Sequence, residues 1–200
     1  MAQDAFSVHS LFGGAISMTF PDRFQDLSNV RQVPDHQEAF SDPDRDESII
    51  VELLDLKHEV TDENSAVWFL QDLATEQDAE GGMVIEQSGV IEAPALSYRN
   101  TPAVVTTAVG QMAISKGRQG REAQNIVRVY LANLRLKEAG TDVLITAYEP
   151  VVINPLSESA GTVGAGAVRP AEQSGRTSMA EVFKVSVTSF KVNDWGLFQA

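Results

Sequence analysis

Two carboxylates near the end of an apolar segment are the residues of this sequence best placed to do chemistry. Glu52 and Asp55 interrupt residues 49–56, IIVELLDL, a predicted strand with apolar residues on both faces. A buried, unpaired carboxylate costs free energy, so we expect the pair at the rim of a sheet or on an open face. Residues three apart on a strand point to opposite faces, so their joint use requires a twist, a bulge or the strand end.

Three interpretations of this acidic pair are open. The two side chains are solubilising edge charges, an acidic pair displayed to a partner, or a general acid and base. The last interpretation is disfavoured, because no neighbouring residues suggest a substrate pocket or a third catalytic group.

Motifs of known catalytic chemistry are absent from the sequence. It contains neither a GxxxxGK[ST] phosphate loop nor a GxSxG nucleophile elbow. His9, His36 and His58 show no HExxH or other paired spacing, and we expect ordinary packing or surface roles for them. With no cysteine, neither a disulfide nor a thiolate metal site can form. We therefore expect no cofactor, no metal and no enzymatic activity.

Negative charge is concentrated in the first half of the chain. The net charge of the 200 residues is −13. Residues 1–100 carry 20 acidic and 5 basic residues, whereas residues 101–200 carry 8 and 10. A strongly acidic first half argues against nucleic acid as a partner, because phosphates would be repelled. It favours a basic protein that is attracted by electrostatic steering. A solubilising surface without a partner is the alternative.

Composition and length predict one globular domain over residues 1–200. Hydrophobic residues make up 43% of the chain and charged residues 22%. No apolar run approaches the roughly 18 residues that a membrane span requires. The start, MAQDAFSVHSLFGG, has the pattern of neither a secretory signal nor a transit peptide. We expect a monomer in the nucleus and cytoplasm.

Hydrophobic patterning predicts a largely antiparallel sheet with a helix after its early strands and another near the end. Predicted strands cover residues 15–20, 36–40, 49–56, 83–91, 103–115, 125–136 and 142–148. Predicted helices cover residues 62–77 and 178–190, the second with a capping box from Ser178 to Glu181. If the strand at 49–56 is covered on both faces, the fold is an α/β/α sandwich of the α+β type.

Residues 154–175 are rich in Ser, Gly, Ala and Pro and low in bulky apolar side chains. That composition predicts a long, mobile surface loop inserted before the last helix.

Several segments resemble the signature blocks of the Ran guanine nucleotide release factor family. They are LFGGAISMTFP, VRQVPDHQEAF and SIIVELLDL, followed later by FLQDLA, TDVLIT and NDWGLF. The resemblance covers nearly the whole chain except residues 154–175, and VPDxQE is its most specific part. It implies a PsbP-like α/β/α sandwich, the GTPase Ran as partner, and release of Ran-bound GTP in nuclear protein import.

The resemblance also implies a Ran-binding surface. In the family, an acidic pair after the SIIV-type strand and the VPDxQE block contribute to it. The matching residues here are Glu52, Asp55, Arg31, Val33, Pro34, Asp35, Gln37 and Glu38.

Two other classes of protein remain open from sequence. One is a PsbP-like binding or scaffold module that does not act on a GTPase. The other is a small hydrolase with a convergent site, for which a deep pocket holding a histidine–carboxylate pair would be expected.

Overall fold

A long antiparallel sheet forms the middle layer of the computed structural model, which describes residues 4–79, 81–91, 96–98, 101–115 and 120–199. In chain order the first strands are β1 (Phe6–Leu11), β2 (Ile16–Pro21), β3 (Gln25–Asp26), β4 (Gln37–Asp42), β5 (Glu47–Asp55), β6 (Val84–Ile91) and β7 (Ser97–Tyr98). The remaining strands are β8 (Thr101–Pro102), β9 (Val104–Ile114), β10 (Asn125–Leu136), β11 (Thr141–Ile153), β12 (Gly166–Ala167) and β13 (Lys191–Val192). The α-helices are α1 (Ser65–Glu76), α2 (Ala160–Val163) and α3 (Met179–Ser189).

The main sheet has the strand order β3-β4-β5-β11-β10-β9-β6, with β12 added beside the end of β11. All of its pairings are antiparallel, as in a sheet built from hairpins and longer connections. The strand β5 therefore lies inside the sheet, between β4 and β11. Ile49 and Val51 on its face toward α3 are fully buried, whereas Ile50 and Leu54 on the other face are only partly buried.

One core cluster lies between the main sheet and α3. Ile49 and Val51 of β5 contribute to it together with Val182 and Phe183 of α3. A separate three-stranded sheet, β1-β2-β13, joins this layer and adds Ile16, Met18 and Phe20, all fully buried. The alternation of these three residues with Ser17 and Thr19 places their side chains on one face of β2.

A second core cluster lies on the opposite face of the main sheet. Phe69 and Leu70 of α1 pack there against Met112 of β9 and Leu131 of β10. The layers are thus α1, the main sheet, and α3 with the small sheet. The predicted antiparallel α/β/α sandwich is confirmed.

Most of the predicted elements have close counterparts. The strand predicted at 125–136 coincides with β10, and α3 starts after the predicted cap, where Ser178 Oγ accepts a hydrogen bond from the Glu181 backbone N–H. Two differences stand out. The strand β11 continues to Ile153, and β2 belongs to the small sheet rather than to the main one.

Residues 154–175 contain more local structure than their composition predicts. They hold α2, the short strand β12 and a 3-10 turn at Ala171–Ser174. Ser157 and Ser159 are buried, and they hydrogen-bond to Asn125 and Asp46 respectively. The segment therefore packs against the hairpin β4–β5 and the start of β10.

A buried ionic cluster fixes the hairpin end of β4 and β5. Arg23 lies 2.7 Å from Asp42 and 2.5 Å from Glu47, and its Nε lies 3.1 Å from Asp4. Burial raises the pKa of Glu47 against the opposing effect of Arg23. The cluster joins the N-terminal segment to this hairpin and, through Thr177, to the start of α3.

Within the described residues, no helix has both the length and the apolar character needed to cross a membrane.

Candidate functional site

The two sequence blocks that motivate the site meet on adjacent strands. Gln37 of β4 lies directly opposite Glu52 of β5, and its side-chain amide donates a hydrogen bond to Glu52 Oε2. His36 Nε2 lies 4.0 Å from the same oxygen. The Glu52 side chain is 24% exposed, so it is neither fully buried nor freely solvated. The carboxylate is positioned by the fold and remains accessible to a partner.

Asp55 lies at the last position of β5 and is exposed. It pairs with Thr141, where β11 begins, so Asp55 lies at a strand end, one of the positions expected for the acidic pair. The alternation along β5 directs Glu52 toward α1 and Asp55 toward the opposite face. The two carboxylates therefore share one end of the sheet without sharing one face.

The segment before β4 lies at the same end of the sheet. Arg31, Pro34 and Asp35 are exposed, and Val33 is half-buried. The His36 carbonyl accepts a hydrogen bond of 2.9 Å from the Leu53 backbone N–H. This bond extends the β4–β5 pairing by one residue and brings the exposed segment next to Glu52.

Glu38 has a partner within the protein. Its Oε1 accepts a hydrogen bond of 2.7 Å from the backbone N–H of Phe12. Phe12 has φ 50°, Gly13 67° and Gly14 90°, a left-handed backbone that costs little only for glycine. The carboxylate of Glu38 therefore holds a strained turn, and it joins the LFGG and VPDxQE segments of the sequence.

A groove beside α1 continues the surface around Glu52. We call it the α1 groove: two adjoining cavities of about 360 and 260 Å³ that share Ile50, Gln77 and Tyr148 in their walls. The ionisable aspartate, glutamate and lysine side chains that line it are Asp46, Glu52, Lys57, Asp72 and Glu76. Sequence reasoning missed Asp72 and Glu76. Their i, i+4 spacing beside the apolar stripe of α1 is the signal that could have found them.

Like charges inside the α1 groove affect one another. The pKa of Glu76 is raised by burial and by the neighbouring carboxylates Asp72 and Glu52. The pKa of Tyr148 is raised by burial and then by Glu52 and Glu76. Burial is the larger cause of both pKa shifts, and the neighbouring carboxylates act in the same direction.

A buried ion pair positions the loop between β5 and α1. Arg135 Nε lies 3.0 Å from Asp142 Oδ1, with side-chain exposures of 2% and 0%. Asp142 also accepts a hydrogen bond of 2.8 Å from the Lys57 backbone N–H, and Arg135 donates one of 2.6 Å to the Val60 carbonyl. Arg135 further pairs with Asp62 at 3.2 Å. These contacts fix how α1 starts relative to the end of β5.

The arrangement has few features of a catalytic centre. His36 is half-exposed and lies outside the cavity walls, and His9 stacks on Phe20 with its ring 3.8 Å away. In the part of the chain that the structure describes, no group of three or more histidines and carboxylates could hold a metal ion. What the site offers is an acidic, partly apolar surface, the chemistry that recognises a basic protein partner.

The fold and the site together define a protein-binding module: an α/β/α sandwich with an acidic surface at one end of its central sheet. Residues 9–150 match the family described as Ran-interacting Mog1 protein. This chain belongs to that Mog1 family.

Curated relatives agree with this assignment. The Ran guanine nucleotide release factor of Danio rerio is 39% identical over 155 residues, which cover 75% of this chain and 81% of that protein. The probable ran guanine nucleotide release factor of Dictyostelium discoideum is 30% identical over 200 residues, covering 98% and 97%. The nuclear import protein mog1 of Schizosaccharomyces pombe is 29% identical over 143 residues, covering 70% and 75%.

The solved structure of the Saccharomyces cerevisiae Ran-binding protein Mog1p has the same fold. It superposes with a TM-score of 0.67 at 23% identity, covering 98% of this chain and 100% of that one.

Proposed function

We propose that this protein binds the small GTPase Ran and promotes release of its guanine nucleotide in nuclear protein import. The observation that carries the proposal is the contact between Gln37 and Glu52, which joins the VPDxQE block to the acidic end of β5 in a member of the Mog1 family. The names of the Danio rerio and Schizosaccharomyces pombe relatives support the activity and the process.

The surface at this end of the sheet is suited to a basic partner. Asp35 and Asp55 are exposed, Glu52 is partly exposed, and Asp72 and Glu76 continue the negative charge along α1. Charges of one sign on one surface accelerate the encounter with a surface of opposite sign. Arg31, Val33, Pro34 and Gln37 supply the polar and apolar rim around these carboxylates.

The activity we propose involves no bond making or breaking by this protein. A partner that prefers the nucleotide-free GTPase must weaken nucleotide binding by the same factor, because linkage between two binding events is reciprocal. Carboxylates that pair with lysines or arginines of the GTPase would draw those side chains away from phosphate or from the mobile segments around it. The protein is then a GTPase regulator and not an enzyme.

Glu38 has a different role from the other residues implied by the resemblance. Its carboxylate is already committed to the Phe12 backbone N–H. We therefore propose that Glu38 contributes by holding the turn at Phe12–Gly14, whereas Glu52 and Asp55 contribute charge directly.

The proposal is tested by complex formation with purified Ran in three forms: stripped of nucleotide, loaded with GDP and loaded with GTP. Size-exclusion chromatography with light scattering should give a one-to-one complex, strongest with stripped Ran, and a monomer when the protein runs alone. Absence of a complex with all three forms would remove Ran as the partner. We further propose that residues 1–200 act as one domain, located in nucleus and cytoplasm, without binding nucleic acid.

A further inference from the structure

The α1 groove lies next to the acidic end of β5 and is a separate part of the proposed binding surface. α1 lies mainly over β9 and β10, and the neighbouring face of β5 and β11 forms the groove floor. Ile50 lies on this floor, is only half-buried, and belongs to neither core cluster. A half-exposed isoleucine in the middle of a sheet gains free energy when an apolar group covers it.

The side chains in the groove walls determine which kind of partner segment can bind there. Among the described residues of the larger cavity, three carboxylates, Glu52, Asp72 and Glu76, lie in the same walls as one ammonium group, that of Lys57. Within the described ranges, Asp72 and Glu76 have no ion-pair partner. Two exposed carboxylates one helical turn apart repel each other, and a cation placed beside them relieves that repulsion.

The groove walls combine apolar and acidic side chains. The two adjoining cavities of the groove, about 360 and 260 Å³, extend between walls that contain Glu52 and Lys57 in one and Asp46 and Ser159 in the other. Ile50 and Tyr148 belong to the walls of both cavities, and Val127 adds apolar surface to the smaller one. An amphipathic segment with both basic and apolar side chains matches this combination.

We infer that the α1 groove is the docking site for a basic, amphipathic segment of the partner GTPase, with Asp72 and Glu76 as its specificity-determining charges. The inference rests on the proposed function and extends it to a second contact next to Glu52. The charges at the end of β5 attract the GTPase during the encounter, and the α1 groove then binds one of its segments. The complex then buries apolar surface as well as charge.

The experiment compares two double charge reversals in binding to nucleotide-stripped Ran. Asp72→Lys with Glu76→Lys changes the groove, and Glu172→Lys with Glu181→Lys makes the same change in net charge at exposed positions outside the groove walls. A third variant, Ile50→Ser, tests the apolar floor without changing charge. Circular dichroism and urea unfolding establish that each variant folds.

We expect the groove reversal to weaken Ran binding at least tenfold, Ile50→Ser to weaken it severalfold, and the control reversal to change it less than threefold. Hydrogen exchange should show that Ran protects amides of β5 and α1. If wild-type protein binds Ran and the folded groove variants bind equally well, the groove inference is overturned and the proposed function stands. If wild-type protein binds no form of Ran, the proposed function is overturned and the inference with it.

Discussion

Gln37 and Glu52 lie opposite each other on β4 and β5, and the Gln37 side-chain amide donates a hydrogen bond to the Glu52 carboxylate. The bond fixes the rotamer of a carboxylate that is still 24% exposed. A pre-positioned charge loses less side-chain entropy on binding than a free one. If Glu52 contacts Ran as we propose, its carboxylate is already in place before the partner binds.

Charge reversal at the strand end should abolish Ran binding while the fold survives. Glu52→Lys with Asp55→Lys replaces attraction by repulsion, and interfacial charge pairs couple by about 1.5–7 kcal/mol. We expect binding to weaken at least tenfold, a loss of about 1.4 kcal/mol. Calorimetric titration with stripped Ran measures this, and Glu52→Gln with Asp55→Asn should fall between wild type and the reversal. A folded reversal variant with wild-type affinity would remove both residues from the site and leave the exposed Arg31 and Asp35 as the contact.

Two substitutions at Glu38 separate its structural role from direct charge recognition. Glu38→Gln keeps an acceptor for the Phe12 backbone N–H, whereas Glu38→Ala removes it and leaves the strained turn unsupported. We expect Glu38→Ala to lower the free energy of unfolding by about 1–3 kcal/mol, and Glu38→Gln to lower it by less. Ran affinity should be nearly unchanged in Glu38→Gln. A large loss of Ran affinity in a stable Glu38→Gln variant would show instead that Ran contacts the Glu38 carboxylate directly.

Breaking the buried pair below the loop that joins β5 and α1 should destabilise the protein strongly. Arg135→Met leaves the fully buried Asp142 without its guanidinium partner, a change that typically costs about 3–5 kcal/mol. The matched control on the same strand is Arg128→Met. Arg128 is 29% exposed and pairs with Glu86 and Glu149, so its loss should cost less than about 1 kcal/mol. Urea unfolding measures the free energy of unfolding of both variants. Equal losses in the two variants would contradict the structural role of Arg135.

For residues 154–175, the sequence and the structure lead to different predictions. Composition predicts that deletion leaves the melting temperature nearly intact. The hydrogen bonds of Ser157 with Asn125 and of Ser159 with Asp46 predict a loss of stability, because deletion removes both bonds and leaves the buried Asn125 side-chain amide without its Ser157 acceptor. We expect replacement by a short Gly/Ser linker to lower the free energy of unfolding by at least about 1 kcal/mol. A melting temperature equal to that of wild type would support the mobile, dispensable loop.

Local sequence patterns predicted the longer strands of the main sheet and β2, but neither β1 nor the separate small sheet that β2 forms with β1 and β13. The strand predicted at 125–136 is β10, because its β-branched residues alternate on a buried surface. β1 gave no such pattern: Val8 is 71% exposed, whereas His9 points inward and stacks on Phe20. A strand whose polar residues face inward cannot be recognised from periodicity alone.

The residues predicted for the candidate site came from the family resemblance rather than from local sequence patterns. The resemblance places Gln37 and Glu52 in one surface, and the pairing of β4 with β5 brings them into contact. The engagement of Glu38 with Phe12 depends on how a separate sheet packs against β4. The α1 groove depends on where the helix lies over the sheet, which no local pattern of Asp72 and Glu76 specifies.

The proposed activity is measured as the rate at which Ran loses bound GTP. Ran loaded with a fluorescent GTP analogue is mixed with excess unlabelled nucleotide and stoichiometric amounts of this protein, and fluorescence is followed in a stopped-flow instrument. We expect a clear acceleration of nucleotide release with no release of inorganic phosphate, and loss of the acceleration in Glu52→Lys with Asp55→Lys. An unchanged rate of release from Ran with correctly folded wild-type protein would overturn the proposed activity.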